Sequence, residues 1–167
     1  MSFDQRVLRD ALGLFVTGVT VITTKGIDGE SVGLTANSFN SVSLDPPLVL
    51  WSIGTRSKSL PAFAQADHFA VHILGENQIE LSQRFARSGA DKFASLPVTK
   101  GIGDVPLLEG CAARLECSIY DRHAAGDHVI YLGEVQRLVH NQNARPLVYH
   151  GGQYAELADK WPEPTNS

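Results

Sequence analysis

Three stretches of the chain gather side chains able to hold or orient a reactive ligand. The first is Gly33-Leu34-Thr35-Ala36-Asn37-Ser38-Phe39-Asn40-Ser41-Val42-Ser43-Leu44-Asp45-Pro46-Pro47. It begins like a strand, and then small polar residues take over. Thr35, Asn37, Ser38, Ser41 and Ser43 can each donate or accept a hydrogen bond, and Ala36 lets a ligand come close to the backbone. Such a surface suits a flat ligand with a polar edge; the same composition also suits a Ser/Asn-rich loop between strands. The second stretch, Arg56-Ser57-Lys58-Ser59, sets two cations and two hydroxyls before a short helix. An anion is favoured there, and so is a plain helix cap with solvated basic side chains. The third is Gly126-Asp127-His128, where glycine permits a tight turn and Asp127 can orient an imidazole or cap the turn. A histidine so placed can donate to a carboxamide or a phosphate, or be an incidental surface residue.

The elements that must position these residues follow from periodicity and turn chemistry. Ser2 and Gln5 read as the N-cap and returning side chain of a first helix, with Leu8, Ala11, Leu12 and Phe15 at helical spacing. Residues 20–24 and 31–35 form a hairpin across Gly26-Ile27-Asp28-Gly29. Asp45-Pro46-Pro47 ends the polar stretch, since consecutive prolines cannot continue a ladder. Residues 48–53 make a third strand, apolar on both faces as far as Ser52. Ser59 caps a short helix with Pro61 in its first turn. A strand at 69–74 and a helix opening at Asn77 and running through Leu81 and Phe85 come next. Residues 86–106 read as a long excursion with a short helical piece near 91–94. The alternation at 110–120 gives a half-buried antiparallel strand, 121–127 a turn, 128–138 a long strand and 146–150 a last short one. Trp51, Trp161 and the tyrosines read by default as core or subunit contacts.

Composition narrows the function. A length of 167 residues suits one domain, assigned here to 1–157, with a polar tail at 158–167. Hydrophobic content of 43% and a net charge of −4 describe a globular protein with no basic footprint for nucleic acid. No apolar run reaches the ~18–20 residues that span a bilayer, and no basic-then-apolar leader opens the chain. A cytoplasmic location follows as an expectation. Cys111 and Cys117, on one alternation face with Leu115, read as buried free thiols rather than a disulfide, and neither they nor the histidines show metal spacing. Strands without β-α-β alternation give a mainly β fold with peripheral helices, an antiparallel barrel or sandwich. The absence of a GxGxxG after a strand disfavours a dinucleotide-binding α/β fold.

The stretch GLTANSFNSVSLDPP followed by LVLWSI resembles the core motif of the short-chain flavin reductases, the reductase components of two-component flavin-dependent monooxygenases. FVTGVTVITT at 15–24, SKSLPAFAQADHFAVHIL at 57–74, GDHVIYLGEV beginning at 127 in its Asp-His core, and PLVYHGGQY at 146–154 resemble the family in the same order. The resemblance implies an antiparallel Greek-key split β-barrel, the FMN-binding split barrel, in a homodimer. It implies hydride transfer from NADH or NADPH to FMN or FAD, and delivery of reduced flavin to a partner monooxygenase. It carries the isoalloxazine contacts onto Thr35, Ala36, Asn37 and Ser38, through backbone amides at the ring's polar edge, and a ribityl contact onto Ser52. Ser57 and Ser59 fall on phosphate-contact positions, with Lys58 or Arg56 as counter-charge. Asp127 and His128 fall on the nicotinamide side, Thr17 and Gly18 border the ring, and His150 and Tyr154 close the mouth of the site from one subunit or the other. Hydride transfer asks for reacting atoms held about 3–3.5 Å apart and water excluded rather than for an acid–base triad. A flavin-storage or flavin-sensing protein of the same fold is the alternative, and a pyridoxamine-phosphate-oxidase-like activity a more distant one.

Overall fold

The computed structural model describes residues 4–89 and 91–158. Ser2, Trp161 and all but the first residue of the expected tail therefore lie outside the described residues. Helix α1 spans Gln5–Gly13 and is capped by Asp4, whose carboxylate accepts the Arg6 N–H at 2.8 Å. Strands β1 (Thr17–Gly18), β2 (Thr20–Lys25), β3 (Ser31–Ala36), β4 (Asn40–Leu44) and β5 (Pro47–Gly54) follow. Helix α2 (Leu60–Gln65), strand β6 (His68–Ile73) and helix α3 (Ile79–Ala86) lead to the hairpin of β7 (Val98–Lys100) and β8 (Pro106–Leu108). Two long strands, β9 (Ala113–Ala125) and β10 (His128–His140), and the short β11 (Val148–His150) and β12 (Gln153–Ala155) complete the order.

Seven strands form one antiparallel sheet in the order β3-β2-β6-β9-β10-β5-β4. The sheet curls until the end of β3 meets β5. There Ser38 Oγ accepts the Ser52 N–H at 3.0 Å and donates to the Ser52 carbonyl at 3.2 Å. Inside the curl lies the main core, because β5 alternates Val49, Trp51 and Ile53 inward. Trp51 stacks on Tyr131, its ladder partner on β10, at 5.0 Å, and meets Phe63 of α2 edge-on at 4.8 Å. Rings arranged this way add to their burial. A second core of Val21, Leu74, Phe85 and Leu108 seats α3 and β8 outside the sheet. His72, fully buried between them, donates from Nδ1 to the Val21 carbonyl and accepts the Leu108 N–H on Nε2, each at 3.0 Å. Burial lowers its pKa to about 4, so the imidazole is neutral.

Several expectations are corrected. Residues 40–44 form β4, an edge strand that is almost wholly exposed, which is why Asn40, Ser41 and Ser43 are tolerated in it. The turn expected at 121–127 contracts to Gly126-Asp127, with Gly126 at φ +62°. The polar residues before it pair with β10 across the ladder, and Arg122 is drawn in over the Tyr131 ring at 5.5 Å. Residues 91–94 make a turn, not a helix, closed by Asp91 accepting the Phe93 N–H. Cys117 joins the main core, while Cys111 precedes β9 and packs on the second one, so they do not share a strand face. Both are free, and burial pushes the Cys117 thiol up to about 12. The apolar spacing of α1 is present, yet no residue of the helix is buried.

Candidate functional site

Most hydroxyls of the polar stretch serve the framework. Thr35 Oγ1 donates to the Ser82 carbonyl of α3 at 2.6 Å. Thr20 Oγ1 donates to the Ala36 carbonyl at 2.6 Å, and Ser43 Oγ accepts the Asp45 N–H at 3.2 Å. Ser38 and Ser52, selected separately from the sequence, are partners of one another across the curl. The Ser52 N–H and C=O are both engaged in this contact, which leaves its side chain as the group not spent on Ser38. Asn37 is exposed, and none of the hydrogen bonds among the described residues uses its carboxamide.

A groove of about 540 Å³ runs along β3 from Thr35 to Ser31. Arg56, Ser57, Lys58 and Ser59 line one wall. Ser57 Oγ accepts the Ser59 N–H at 3.3 Å, whereas Ser59, at the N-cap of α2, makes no capping bond with its own side chain. With only six residues in α2, the helix dipole adds little, and the two cations carry most of the attraction for an anion. Arg56 and Lys58 are exposed and form no ion pair among the described residues.

The tip of the β9–β10 hairpin is tied to this wall. Thr55 donates to the Asp127 carbonyl through its backbone N–H at 2.9 Å and through Oγ1 at 3.2 Å. Asp127 Oδ1 accepts from His128 Nδ1 at 2.7 Å, which leaves Nε2 facing outward beside Gly54. That hydrogen bond and the imidazole's charge, with a smaller contribution from Arg56, hold the Asp127 carboxyl below its usual value.

A second pocket, about 240 Å³, lies at the other end of β3 and is lined by Thr35, Asn37, Ser82, Tyr149 and Tyr154. Tyr154 and Ser82 share a hydrogen bond of 2.8 Å between their hydroxyls. Thr17, paired with Tyr149 across β1 and β11, has a buried hydroxyl with no partner. His150 is exposed on β11 opposite Gln153. The selected residues thus fall into two groups joined by Thr35, which borders both spaces. One group is the Arg56–Ser59 wall with Asp127 and His128; the other is Asn37 and Tyr154. Among the described residues no hydrogen bond or ion pair joins His128 to Tyr154 or His150. A larger cleft of about 780 Å³, on the outer side of α3 past Arg84 and Leu96, holds none of them.

Sequence reading missed Ser82 and Lys92. Lys92 Nζ donates to the carbonyls of Gly33 and Phe85, each at 3.0 Å, and burial lowers its pKa. It pins the segment after α3 onto β3. Phe85 and Phe93 meet edge-on at 5.0 Å over Gly33, where a Cβ would stand 2.8 Å from the Phe85 ring. Nothing local in the sequence marks either residue, because Ser82 meets Thr35 and Tyr154 at 47 and 72 positions, and Lys92 meets Gly33 at 59. The arrangement offers unpaired cations at one end, and a free carboxamide and an orphaned hydroxyl at the other. Among the described residues it holds no acid–base triad. Such residues fit a phosphate-bearing ligand with a flat polar ring.

Comparison with known proteins gives the same direction. The sequence profile of the flavin reductase like domain matches residues 12–158. An FMN reductase (NADH) of Agrobacterium fabrum is 46% identical over 155 residues, covering 93% of this chain and 87% of that protein. The reductase component of a flavin-dependent trigonelline monooxygenase from Acinetobacter baylyi is 46% identical over 149 residues; the match covers 89% of this chain and 48% of that protein, so this chain spans about half of it. An NADH:FAD oxidoreductase of Streptomyces globisporus, solved with NAD and FAD fragments, superposes with a TM-score of 0.88 at 37% identity, over 93% of this chain and 94% of that one.

Proposed function

The chain belongs to the flavin reductase-like family, a mostly β split-barrel fold, and from that premise we propose that it is an NAD(P)H-dependent flavin reductase. It transfers hydride from NADH or NADPH to FMN or FAD. The observation that carries this reading is the groove along β3, which joins the cationic wall at 56–59 to the polar end of β3. Arg56, Ser57, Lys58 and Ser59 hold the flavin phosphate. The 35–38 segment and the Asn37 carboxamide meet the ring's polar edge, with Ser52 on the ribityl side. Bound flavin supplies the hydride-accepting chemistry. The protein's own part is position: Ser38 fixes the bend to β5, Thr35 fixes β3 to α3, and Asp127 sets the imidazole of His128 to meet the nicotinamide carboxamide. His150 and Tyr154 border the mouth.

A homodimer completes this reading. The N-terminal segment exposes Val7, Leu8, Leu12, Leu14, Phe15 and Val16, Phe15 being 76% accessible. A second copy is the occupant that fits an apolar face next to the site. Reduced flavin then passes to a flavin-dependent monooxygenase, in the cytoplasm. Among the described residues no helix is long and apolar enough to cross a membrane.

The test is stopped-flow mixing with NADH in the presence of riboflavin, FMN or FAD. Bleaching of the flavin absorbance at catalytic rates supports the reductase. Binding without bleaching turns the protein into a flavin-storage or flavin-sensing one. Replacing Ser57 and Lys58 together by alanine should weaken FMN at least about tenfold and spare riboflavin, as expected for a charge-assisted phosphate contact. Light scattering that returns the mass of one chain at micromolar concentration rejects the dimer.

A further inference from the structure

The 240 Å³ pocket is lined from two separate parts of the fold. Thr35 and Asn37 bring the end of β3 to it, and with it the seven-stranded sheet. Tyr149 and Tyr154 bring the small sheet β1-β11-β12. In that sheet Thr17 stands opposite Tyr149, and Tyr149 opposite Tyr154, so the three side chains form a row on one face. The two tyrosine rings meet edge-on at 5.6 Å. Among the described residues no strand ladder joins the small sheet to the large one. The spacing of Tyr154 from Thr35 is therefore not set by strand pairing.

Ser82 of α3 is bonded to both. Its carbonyl accepts from Thr35 Oγ1 at 2.6 Å, and its hydroxyl shares a 2.8 Å hydrogen bond with the hydroxyl of Tyr154. Ser82 is 1% exposed, so Tyr154 stands where water would otherwise satisfy the hydroxyl. The carbonyl belongs to the helix backbone and has no rotamer to change, and the hydroxyl is one bond from Cβ. Two short hydrogen bonds through a single residue thus run from Thr35 to Tyr154. Unlike a packing contact, they constrain angle as well as distance.

Resting on the reading above, in which residues 35–38 meet the flavin ring, we infer that Ser82 is a positioning residue for hydride transfer: it holds Tyr154 at a set distance from the 35–37 segment and so fixes the width of the pocket beside the ring. Ser82 touches neither flavin nor reductant. It acts through Tyr154. A displacement of about 1 Å at a reacting centre can cost a hundredfold in rate, so a smaller slackening of this wall should cost about tenfold. The cost falls on the rate of the aligned complex rather than on flavin affinity, because the phosphate contacts lie at the other end of β3.

The test is single-turnover reduction of bound FMN by saturating NADH, and by NADH deuterated at the transferred position, in the intact protein and in Ser82→Ala, Tyr154→Phe and the double variant. Each single variant should slow reduction about tenfold, with FMN affinity unchanged and the primary isotope effect fully expressed. The double variant should be no slower than the slower single one, because both changes break the same bond. Tyr154→Phe keeps the ring and removes only the hydroxyl, so it decides the matter by itself if Ser82→Ala does not fold. Wild-type reduction in Tyr154→Phe overturns the inference, and so do losses that multiply in the double variant. A loss confined to FMN affinity, or a slowing with the isotope effect suppressed, overturns it too, since neither comes from misalignment in the hydride step. In all these outcomes the wild-type protein still bleaches FMN and the reductase reading stands. Absence of bleaching in the wild-type protein removes that reading itself, and this inference with it.

Discussion

The bend after β3 and the tip of the β9–β10 hairpin were both marked by small polar residues, and the structure treats them in opposite ways. At the bend, Thr35, Ser38 and Ser52 are half-buried, and the hydrogen bonds of the first two reach across to α3 and β5. At the tip, Asp127 and His128 are exposed and hold chiefly each other, with the Asp127 carbonyl anchored to Thr55. The bend is a piece of scaffold that happens to border a ligand space. The tip is a pair of side chains presented by a scaffold built elsewhere. Substitutions should divide accordingly: scaffold changes should move stability first, and tip changes should move activity alone.

The largest expected stability effect comes from His72, the buried pin between β2, β6 and β8. Its folded pKa of about 4 lies below the ordinary 6.5, so the unfolded chain binds the proton more readily. Stability from the neutral imidazole is complete above pH 6.5 and is lost as pH falls toward 4. A shift of this size is worth about 3 kcal/mol. Urea unfolding at pH 7.5, 5.5 and 4.0 should show the midpoint falling, and His72→Gln should flatten that dependence while lowering stability at pH 7.5. An equal pH slope in both proteins would assign the acid sensitivity to other groups.

Next comes Gly33→Ala. The new Cβ would stand 2.8 Å from the Phe85 ring and 3.2 Å from Phe93, and the two rings hold the segment that Lys92 pins. Overpacking of this kind costs about 1–3 kcal/mol. Since this glycine lies under the groove, flavin affinity should fall together with the urea midpoint. Affinity lost with an unchanged midpoint would mean the glycine serves the ligand directly.

A smaller loss, about 1–2 kcal/mol, is expected for Ser38→Ala, which leaves the Ser52 N–H and carbonyl without their partner where β3 meets β5. Hydrogen exchange at Ser52 should speed up, while exchange at Gly54 on the same strand should not. Unchanged protection at Ser52 would show that the contact does not close the curl.

The same contrast explains what the sequence made legible. The β-branched runs of β2 and β3 and the inward alternation of Val49, Trp51 and Ile53 announce themselves locally, because a half-buried strand imposes its period on the residues. β4 and the outer half of β9 do not, since exposed strand positions accept the same Ser, Asp and Arg that turns do. For the site, residue types were readable and partnerships were not. Ser38 and Ser52 stand out singly, but their mutual bond spans 14 positions, and the Ser82–Tyr154 pair spans 72. Lys92 looks like one more charge in a polar excursion until the fold brings it under the carbonyl of Gly33. The exposed apolar residues of α1 keep helical spacing because a helix face is built for a surface, and that surface need not belong to the same chain.

The smallest expected stability effect, and the sharpest test of the contrast, is His128→Ala. The imidazole is about half exposed and its one side-chain partner is the fully solvent-facing Asp127, so the urea midpoint should stay within experimental error. The hairpin keeps its shape, because Gly126 makes the turn and Thr55 still holds the Asp127 carbonyl. What should change is the encounter with the reductant. If His128 positions the nicotinamide, kcat/KM for NAD(P)H should fall about ten- to a hundredfold, which corresponds to one or two kcal/mol of transition-state positioning. Flavin affinity should hold, since the groove's cations lie on the neighbouring loop and not on the tip. Asp127→Asn should produce a weaker version of the same loss: the amide still meets Nδ1, but the negative charge that favours one orientation of the ring is gone. Single-turnover reduction of bound flavin over a range of NADH concentrations, beside a flavin titration of each variant, separates the two quantities. An unchanged reduction rate with unchanged NADH dependence would reduce Gly126-Asp127-His128 to a turn. A large loss of flavin affinity would move His128 into the phosphate wall beside Arg56, and the tip would then belong with the scaffold of the flavin site rather than with the reductant.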